Sequence, residues 1–251
     1  FEFRAVGSNQ SVTGPLIAMN TILADSLNWI AERLEAELAK GSDQPAAVIA
    51  VLKEIVLSHK AVIFGGDGYS AEWHKEAVEE RGLLNLPTTA DALPYLNDDA
   101  VRELFNSTGV LSPVELESRY EVYTEIYIMS IAVEAKLVVE MAKTIIYPAA
   151  MRYLSELADT DAAVSAMGID LDRSTAKTIA EQANVMMAKV TELSDAFARD
   201  DFDSTDDHMQ YCAKTIRPLM DAVRVHADAL EAELADEQWP LPKYREMLFI
   251  K

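Results

Sequence analysis

The chain has 251 residues, half of them apolar, which is enough for one large domain or two small ones with a substantial buried core. It carries 22 basic and 42 acidic residues, and its net charge of −20 repels the phosphates of nucleic acids and anionic lipids. Nucleic acid and membrane are therefore not expected partners, and the lone cysteine, Cys212, excludes an internal disulfide and suits a reducing cytoplasm, which is the predicted location.

The first predicted element is a short strand over residues 1–6, with the sequence FEFRAV. Alternation along this strand places Glu2 and Arg4 on the same face, two residues apart. A carboxylate and a guanidinium in this arrangement can hold a cation and an anion side by side. Taken alone, the pair is ordinary, because an exposed Glu and Arg on a surface strand contribute little.

Two helices are predicted next. The first begins near Pro15, a residue suited to a first helical turn, and ends at Gly41. The second follows Pro45. Apolar residues at helical spacing mark one side of each helix, and that side of the second helix is predicted to face inward. They are Leu16, Met19, Ile22, Leu23, Leu27, Ile30, Leu34 and Leu38 on the first helix, and Val48, Leu52, Ile55 and Val56 on the second.

Residues 61–69, AVIFGGDGY, predict an extended segment that enters a turn, after which Ser70 caps a helix over residues 71–81. Residues 66–71 formally match the pattern G-x-G-x-x-A of dinucleotide-binding proteins. That fold needs a second parallel strand after the helix, and none is evident. A structural turn with a helix cap is therefore favoured, and nucleotide binding stays as the alternative.

Long helices are predicted from Ser112 onward. Ser112 and Glu115 form a capping box, and Pro148 predicts a kink in the helix that follows. Three stripes of mostly apolar residues spaced three and four apart predict a long antiparallel helix bundle. The stripes are Tyr120, Tyr123, Tyr127, Ile131, Ala135, Val138, Ala142, Ile145 and Ala149; Ile179, Ala183, Met186, Val190, Leu193 and Phe197; and Cys212, Ile216, Leu219, Val223, His226 and Leu230. No sequence repeat is evident.

Four groups in this region could suggest a site, and each has a simpler interpretation. The acidic residues between Asp200 and His208 lack the glycine and the distal glutamate of a calcium loop, so they predict an acidic helix N-terminus. His226 and Cys212 lie on an apolar stripe and are interpreted as packing residues. The tyrosines at the start of the first stripe are interpreted as core or interface.

Several stretches together resemble type III glutamine synthetase, in its C-terminal portion. The resemblance is spread over essentially the whole chain. It is carried by FEFRAVGSN at residues 1–9, PLIAM at 15–19, VIFGGDGYS at 62–70, DAL at 91–93, LF at 104–105, VLSPVELESRY at 110–120 and the tail at 239–250.

The resemblance implies a mainly α fold with one N-terminal strand left from the catalytic sheet. It implies three regions: residues 1–111 as the C-terminal part of the catalytic domain, residues 112–236 as the long-helix bundle with the type III extension, and residues 237–251 as a docking tail. Neighbouring subunits of a homo-oligomeric ring and an upstream catalytic domain are the implied partners.

The resemblance also assigns chemistry to the N-terminal strand. It implies an ATP-dependent glutamate–ammonia ligase in which Glu2 is a ligand of Mg²⁺ or Mn²⁺ and Arg4 contacts the substrate or the transferring phosphoryl group. The other metal ligands of the family and its ATP-binding arginines lie upstream, so this chain alone is expected to bind no cofactor and to be inactive. The alternative is a non-catalytic helical interaction module.

Overall fold

The structure is a computed structural model that describes residues 11–248, and the regular elements in this range are all helices. The prediction of a mainly α protein is therefore confirmed. The predicted N-terminal strand lies outside the described residues. The chain divides into two compact units, Phe1–Glu121 and Val122–Lys251, and the boundary falls inside one continuous helix.

The first unit contains one long helix, α1, and several shorter ones. These are α1 (Thr13–Ala39), α2 (Gln44–Ser58), a 3₁₀ turn (Lys60–Val62), α3 (Ala71–Glu79), α4 (Thr89–Ala92), a second 3₁₀ turn (Leu93–Asn97), α5 (Asp99–Ser107) and the start of α6 (Pro113–Met141). The four-residue connection between α1 and α2 makes them a helical hairpin. Arg33 on α1 pairs with Glu54 on α2 at 2.9 Å.

A small apolar core holds the first unit together. Phe105, Leu111 and Leu116 are buried in contact with one another. Partly buried residues from α1, the second 3₁₀ turn and α5 pack against them, namely Ile17, Ala18, Leu96 and Val101. This core explains why the end of α5 lies against the beginning of α1 and the beginning of α6.

The predicted capping box at the start of α6 is confirmed. The backbone N–H of Ser112 donates to Glu115 Oε2 at 2.8 Å, and the backbone N–H of Glu115 donates to Ser112 Oγ at 3.3 Å. These two bonds satisfy donors that a helix N-terminus otherwise leaves unpaired. Hydrogen bonds from Ser112 also lower the pKa of the Glu115 carboxyl.

The second unit is built from long helices interrupted by two π-turns. They are the remainder of α6, the first π-turn (Ala142–Ile146), α7 (Tyr147–Ser165), α8 (Ser174–Phe197), α9 (Thr205–Tyr211), the second π-turn (Cys212–Ile216), α10 (Arg217–Glu233) and α11 (Tyr244–Leu248). In the part of the chain that the structure describes, no helix combines the length and apolarity that a membrane crossing requires.

Side-chain contacts show that neighbouring long helices in this unit run antiparallel. Asp161 on α7 pairs with Arg173 at the start of α8. Lys136 on α6 lies 5.8 Å from the ring of Phe197 at the end of α8. Residue numbers therefore fall along one helix as they rise along the other. The same relation holds between α8 and the segment from α9 to α10, where Tyr211 contacts Ala196 and His226 contacts Gln182. The predicted antiparallel bundle is confirmed.

Each π-turn precedes a proline by two residues, at Pro148 and at Pro218. A proline inside a helix removes one backbone donor and its ring collides with the carbonyl four residues earlier. The wider π-turn accommodates this: the backbone N–H of Tyr147 bonds to Ala142 O, and that of Arg217 to Cys212 O, five residues back in both cases.

The letters AKTI occur in both π-turns, at residues 142–145 and 213–216, and a third time at residues 176–179 in α8. The third copy is regular α-helix and no proline follows it closely. The π conformation therefore accompanies the proline and not the four letters.

The three predicted stripes of the bundle face inward. Those of α8 and α10 include residues with essentially no exposed surface, among them Met186, Leu193 and Leu230. Thr124 on α6, next to Tyr123, is also buried. It was not part of the predicted stripe.

The apolar sides of α1 and α2 are both largely exposed, so the prediction that α2 turns its apolar side inward is wrong. Leu23 and Leu27 expose 56% and 55% of their surface, and Leu52 exposes 53%. The buried residues are instead Thr21 on α1 and Ala47 and Val51 on α2. Helical spacing identifies an apolar side, but it does not say whether the described chain supplies the surface that covers it.

Candidate functional site

Glu2 and Arg4, the residues expected to bind a metal ion and the substrate, lie outside the described residues. Within residues 11–248, no group of three or more His, Cys, Asp or Glu side chains is arranged to hold a metal ion. The described part of the chain therefore does not form a metal centre of its own. The roles of Glu2 and Arg4 stay predictions.

The glycine-containing turn before α3 is a structural turn with a helix cap. A 3₁₀ turn, Lys60–Val62, precedes it where the dinucleotide fingerprint requires a strand. Ser70 Oγ accepts a hydrogen bond from the backbone N–H of Trp73 at 3.1 Å, which confirms Ser70 as the cap of α3. Gly66 leaves room for the ring of Phe64, because a Cβ at this position would lie 2.6 Å from the ring.

Arg81 fixes this turn from the far end of α3. Its Nη1 donates to two backbone carbonyls, including that of Ile63 at 2.9 Å, and its Nη2 donates to Glu76 Oε1 at 2.7 Å. The guanidinium lies 4.8 Å from the ring of Trp73, which itself stacks on Phe64 with centroids 3.7 Å apart. These contacts give the turn a defined shape without any ligand.

The α1–α2 hairpin exposes many large apolar side chains, which we call the hairpin apolar surface. On α1 they follow spacings of three and four, so they lie along one side of the helix. Its members are Leu16, Met19, Ile22, Leu23, Leu27 and Leu38 on α1, and Val48, Ile49, Leu52, Val56 and Leu57 on α2. Exposed apolar side chains in such number are typical of a site that another protein surface covers.

The second unit contains an open cleft of about 410 Å³, where the loop after α8 meets α9 and the second π-turn. We call it the α9 cleft. Its lining combines aromatic, basic, acidic and neutral polar side chains. They are Arg199, Phe202, Asp203, Asp207, Gln210, Tyr211, Lys214 and Thr215.

One wall of the α9 cleft is aromatic and fixed in place. The rings of Phe202 and Tyr211 lie 5.3 Å apart, and Tyr211 Oη donates to Ala196 O at 3.0 Å. His208 stacks on Phe202 at 4.2 Å, and burial lowers the pKa of its imidazole. The Arg199 guanidinium lies about 5 Å from both rings, 4.8 Å from Phe202 and 5.1 Å from Tyr211.

The acidic segment before α9 forms a helix N-terminus, as predicted. Ser204 Oγ accepts a hydrogen bond from the backbone N–H of Asp207 at 3.1 Å and donates to Asp207 Oδ2 at 2.8 Å. Asp206 and Asp207 lie in the first turn, where negative charge is favourable.

The two other candidates on the bundle stripes pack between helices. His226 Nδ1 lies 2.7 Å from Gln182 Oε1, and this hydrogen bond joins α10 to α8. Cys212 is buried, and burial raises the pKa of its thiol, which favours the protonated and less reactive form.

The α9 cleft was not predicted from the sequence. The segment from Asp200 to His208 was grouped by charge, and no role was given to Arg199, Phe202, Lys214 or Thr215. The available signal was Pro218, which follows the second π-turn. Single π-helical turns occur frequently at functional sites.

Comparison with known proteins agrees with the resemblance seen in the sequence. The family model for the glutamine synthetase C-terminal domain matches residues 47–165. The chain is 36% identical over 261 residues to the type-3 glutamine synthetase of Dictyostelium discoideum, covering all of this chain and 35% of that protein. A glutamine synthetase of Bacteroides fragilis is 31% identical over 262 residues, again covering all of this chain and 36% of that protein.

The fold and these matches define a helical C-terminal region of the glutamine synthetase family. Within that family, the match to a type-3 enzyme over the whole chain places it with type III, so the chain belongs to the type III glutamine synthetases and corresponds to their C-terminal portion. It spans about a third of the length of the curated relatives it matches.

Proposed function

We propose that this chain forms the C-terminal portion of an ATP-dependent glutamate–ammonia ligase and serves there as scaffold and oligomer surface. The observation that carries the proposal is its match over its whole length to about a third of a type-3 glutamine synthetase. The reaction, glutamine synthesis for cytoplasmic nitrogen assimilation, is that of the intact enzyme. Alone, the chain is inactive.

The hairpin apolar surface supports the scaffold role. Leu23 and Leu27 expose more than half of their area to solvent. Burying an apolar side chain of this size stabilises a protein by about 1.5–3 kcal/mol, so a series of exposed leucines and isoleucines favours a covering partner. The remaining two-thirds of the enzyme and the neighbouring subunits of a homo-oligomeric ring are the proposed partners.

In the intact enzyme, Glu2 binds Mg²⁺ or Mn²⁺ together with ligands from outside this chain, and Arg4 contacts the substrate or the transferring phosphoryl group. The metal ion would neutralise negative charge on ATP and on the phosphoryl group in transfer. A hard carboxylate suits either ion, and a forked guanidinium suits a phosphoryl oxygen pair. We retain residues 1–111, 112–236 and 237–251 as the catalytic, bundle and tail regions.

A chimera tests this assignment. The matching third of the Dictyostelium discoideum type-3 enzyme is replaced by this chain, and glutamine formation from glutamate, ammonium and ATP is measured. We expect activity in the chimera, none in the 251-residue chain, and a loss of at least about a hundredfold in Glu2→Gln and Arg4→Met chimeras. Glu72→Gln, an exposed carboxylate on α3, serves as the control.

The alternative, a helical interaction module that is not attached to a ligase, predicts a different result. Such a module would form no active chimera, and substitution of Glu2 would change nothing. If the chimera forms glutamine and Glu2→Gln leaves its rate unchanged, the chain is part of a ligase but Glu2 is not a metal ligand.

A further inference from the structure

The α9 cleft presents polar groups that the protein does not use internally. The second π-turn places Lys214 and Thr215 on its lining, and the preceding loop places Asp203 there. Among residues 11–248, Lys214 and Asp203 form no ion pair and the hydroxyl of Thr215 has no hydrogen-bond partner. The cleft therefore offers a cation, an anion and a hydroxyl to a ligand.

The first π-turn gives a direct contrast. Lys143 and Thr144 occupy the same AKTI sequence, but neither lines the cleft. Thr144 Oγ1 donates to Glu140 O at 2.7 Å, so its hydroxyl is satisfied within its own helix. The letters AKTI also occur at residues 176–179 in the regular helix α8, away from the cleft, so Lys214 and Thr215 are set apart by their position on the cleft lining and not by this sequence.

The other charged groups at the cleft are already engaged. Arg199 Nε donates to Asp201 Oδ1 at 2.9 Å, and Asp207 accepts from Ser204. Arg199 also lies over Phe202 and Tyr211, so the aromatic wall is held before any ligand arrives. A wall fixed in this way lowers the ordering cost of binding.

We propose that the α9 cleft binds a small zwitterion. Its carboxylate pairs with Lys214 and accepts from the Thr215 hydroxyl, its ammonium pairs with Asp203, and an apolar body lies against Phe202 and Tyr211. The cleft volume of about 410 Å³ falls in the range of small-molecule sites. The net charge of −20 disfavours a simple anion, whereas a zwitterion carries no net charge to be repelled.

Three probes with the same body and different charges test this proposal. The full chain is titrated at low salt and pH 7 with L-phenylalanine, with 3-phenylpropanoate and with 2-phenylethylammonium. Calorimetry gives affinity, and NMR shifts of residues 202–215 report the location. We expect L-phenylalanine to bind with a dissociation constant of about millimolar, and each of the singly charged probes to bind at least about threefold more weakly.

Matched variants identify the contacts. Lys214→Ala should weaken L-phenylalanine and 3-phenylpropanoate roughly threefold to tenfold and leave 2-phenylethylammonium unchanged. Asp203→Asn should weaken L-phenylalanine and 2-phenylethylammonium by a similar factor and leave 3-phenylpropanoate unchanged. Lys143→Ala, at the exposed lysine of the first π-turn, should change nothing. All three positions are exposed, so the variants should fold, as circular dichroism can verify.

Three results would overturn the proposal. The first is the absence of saturable binding for all three probes. The second is an affinity for L-phenylalanine no higher than that for a singly charged probe. The third is an effect of Lys143→Ala equal to that of Lys214→Ala, since that would reflect general charge and not the cleft.

Discussion

The two units of this chain carry the same kind of apolar pattern, but they use it differently. In the second unit, the stripes of α8 and α10 meet each other, and residues such as Met186 and Leu230 lose essentially all contact with solvent. In the first unit, the stripe on α1 stays largely exposed. Helical spacing therefore defines which side of a helix is apolar, while the presence of a partner decides whether that side is buried.

The largest expected difference separates Leu193 in the bundle from Leu23 on the hairpin. Leu193→Ala removes a fully buried side chain and should cost about 2–5 kcal/mol of unfolding free energy. Leu23→Ala, at 56% exposure, should stay within about 0.5 kcal/mol. Urea unfolding followed by circular dichroism measures both. Equal costs would contradict the difference in burial between the two helices and would mean that the hairpin apolar surface is covered in solution.

A second test asks how firmly the first unit is fixed without a large core. Arg81→Met keeps the apolar stem but removes hydrogen bonds to two carbonyls and to Glu76, and should cost about 1–3 kcal/mol. The near-ultraviolet circular dichroism of Trp73 should weaken as the turn loosens.

Arg33→Met is the matched control for Arg81→Met. Arg33 also lies over a tryptophan, at 4.4 Å from the ring of Trp29, and also pairs with a glutamate. It is more exposed, and within residues 11–248 it donates to no backbone carbonyl, so its replacement should cost less than about 1 kcal/mol. Similar costs for the two variants would show that the turn does not depend on its carbonyl contacts.

The bundle could be predicted closely from the sequence because its helices cover one another. Spacing alone placed Ile179, Met186 and Val223 in the core, and capping chemistry placed the start of α6 at Ser112. The capping signal at Ser112 is local. The apolar stripes pack against other stripes within the same chain. The inward side of α2 could not be predicted correctly, because burial of its apolar side depends on a surface that these helices do not supply.

The candidate sites show the same division. The expected turn at Gly66 and the acidic N-terminus of α9 follow from local rules, and the structure confirms them. The α9 cleft depends on how the loop after α8 meets the second π-turn, which no spacing rule describes. Lys214 and Thr215 read as ordinary helix positions until the π-turn and the aromatic wall are seen together.

A smaller effect tests whether the two units unfold together. Ser112→Ala removes the side-chain acceptor that caps α6 and should cost about 1 kcal/mol. Because α6 continues from the first unit into the second, a cooperative chain would show one shifted unfolding transition. Two transitions, of which only the earlier is shifted by Ser112→Ala, would mean that the two units unfold independently. Ser118→Ala, an exposed serine further along α6, is the control.

The smallest expected effect concerns pH and the second unit. Burial lowers the pKa of His208 below its ordinary value of 6.5, so the unfolded chain binds this proton more readily than the folded chain. The stability contributed by neutral His208 is therefore fully present above pH 6.5, and it declines as the pH falls from there toward the folded pKa. Protonation would also place a charge in the stack with Phe202.

The urea midpoint of the bundle, measured between pH 7.5 and pH 5, should therefore fall less in His208→Gln than in the unmodified chain, since glutamine stays neutral throughout this range. The difference should vanish above about pH 7. A pH dependence identical in the two proteins would assign the acid sensitivity to other groups and leave the His208–Phe202 stack as a packing contact. A larger decline in His208→Gln would reverse the sign and show that the folded state favours the protonated imidazole.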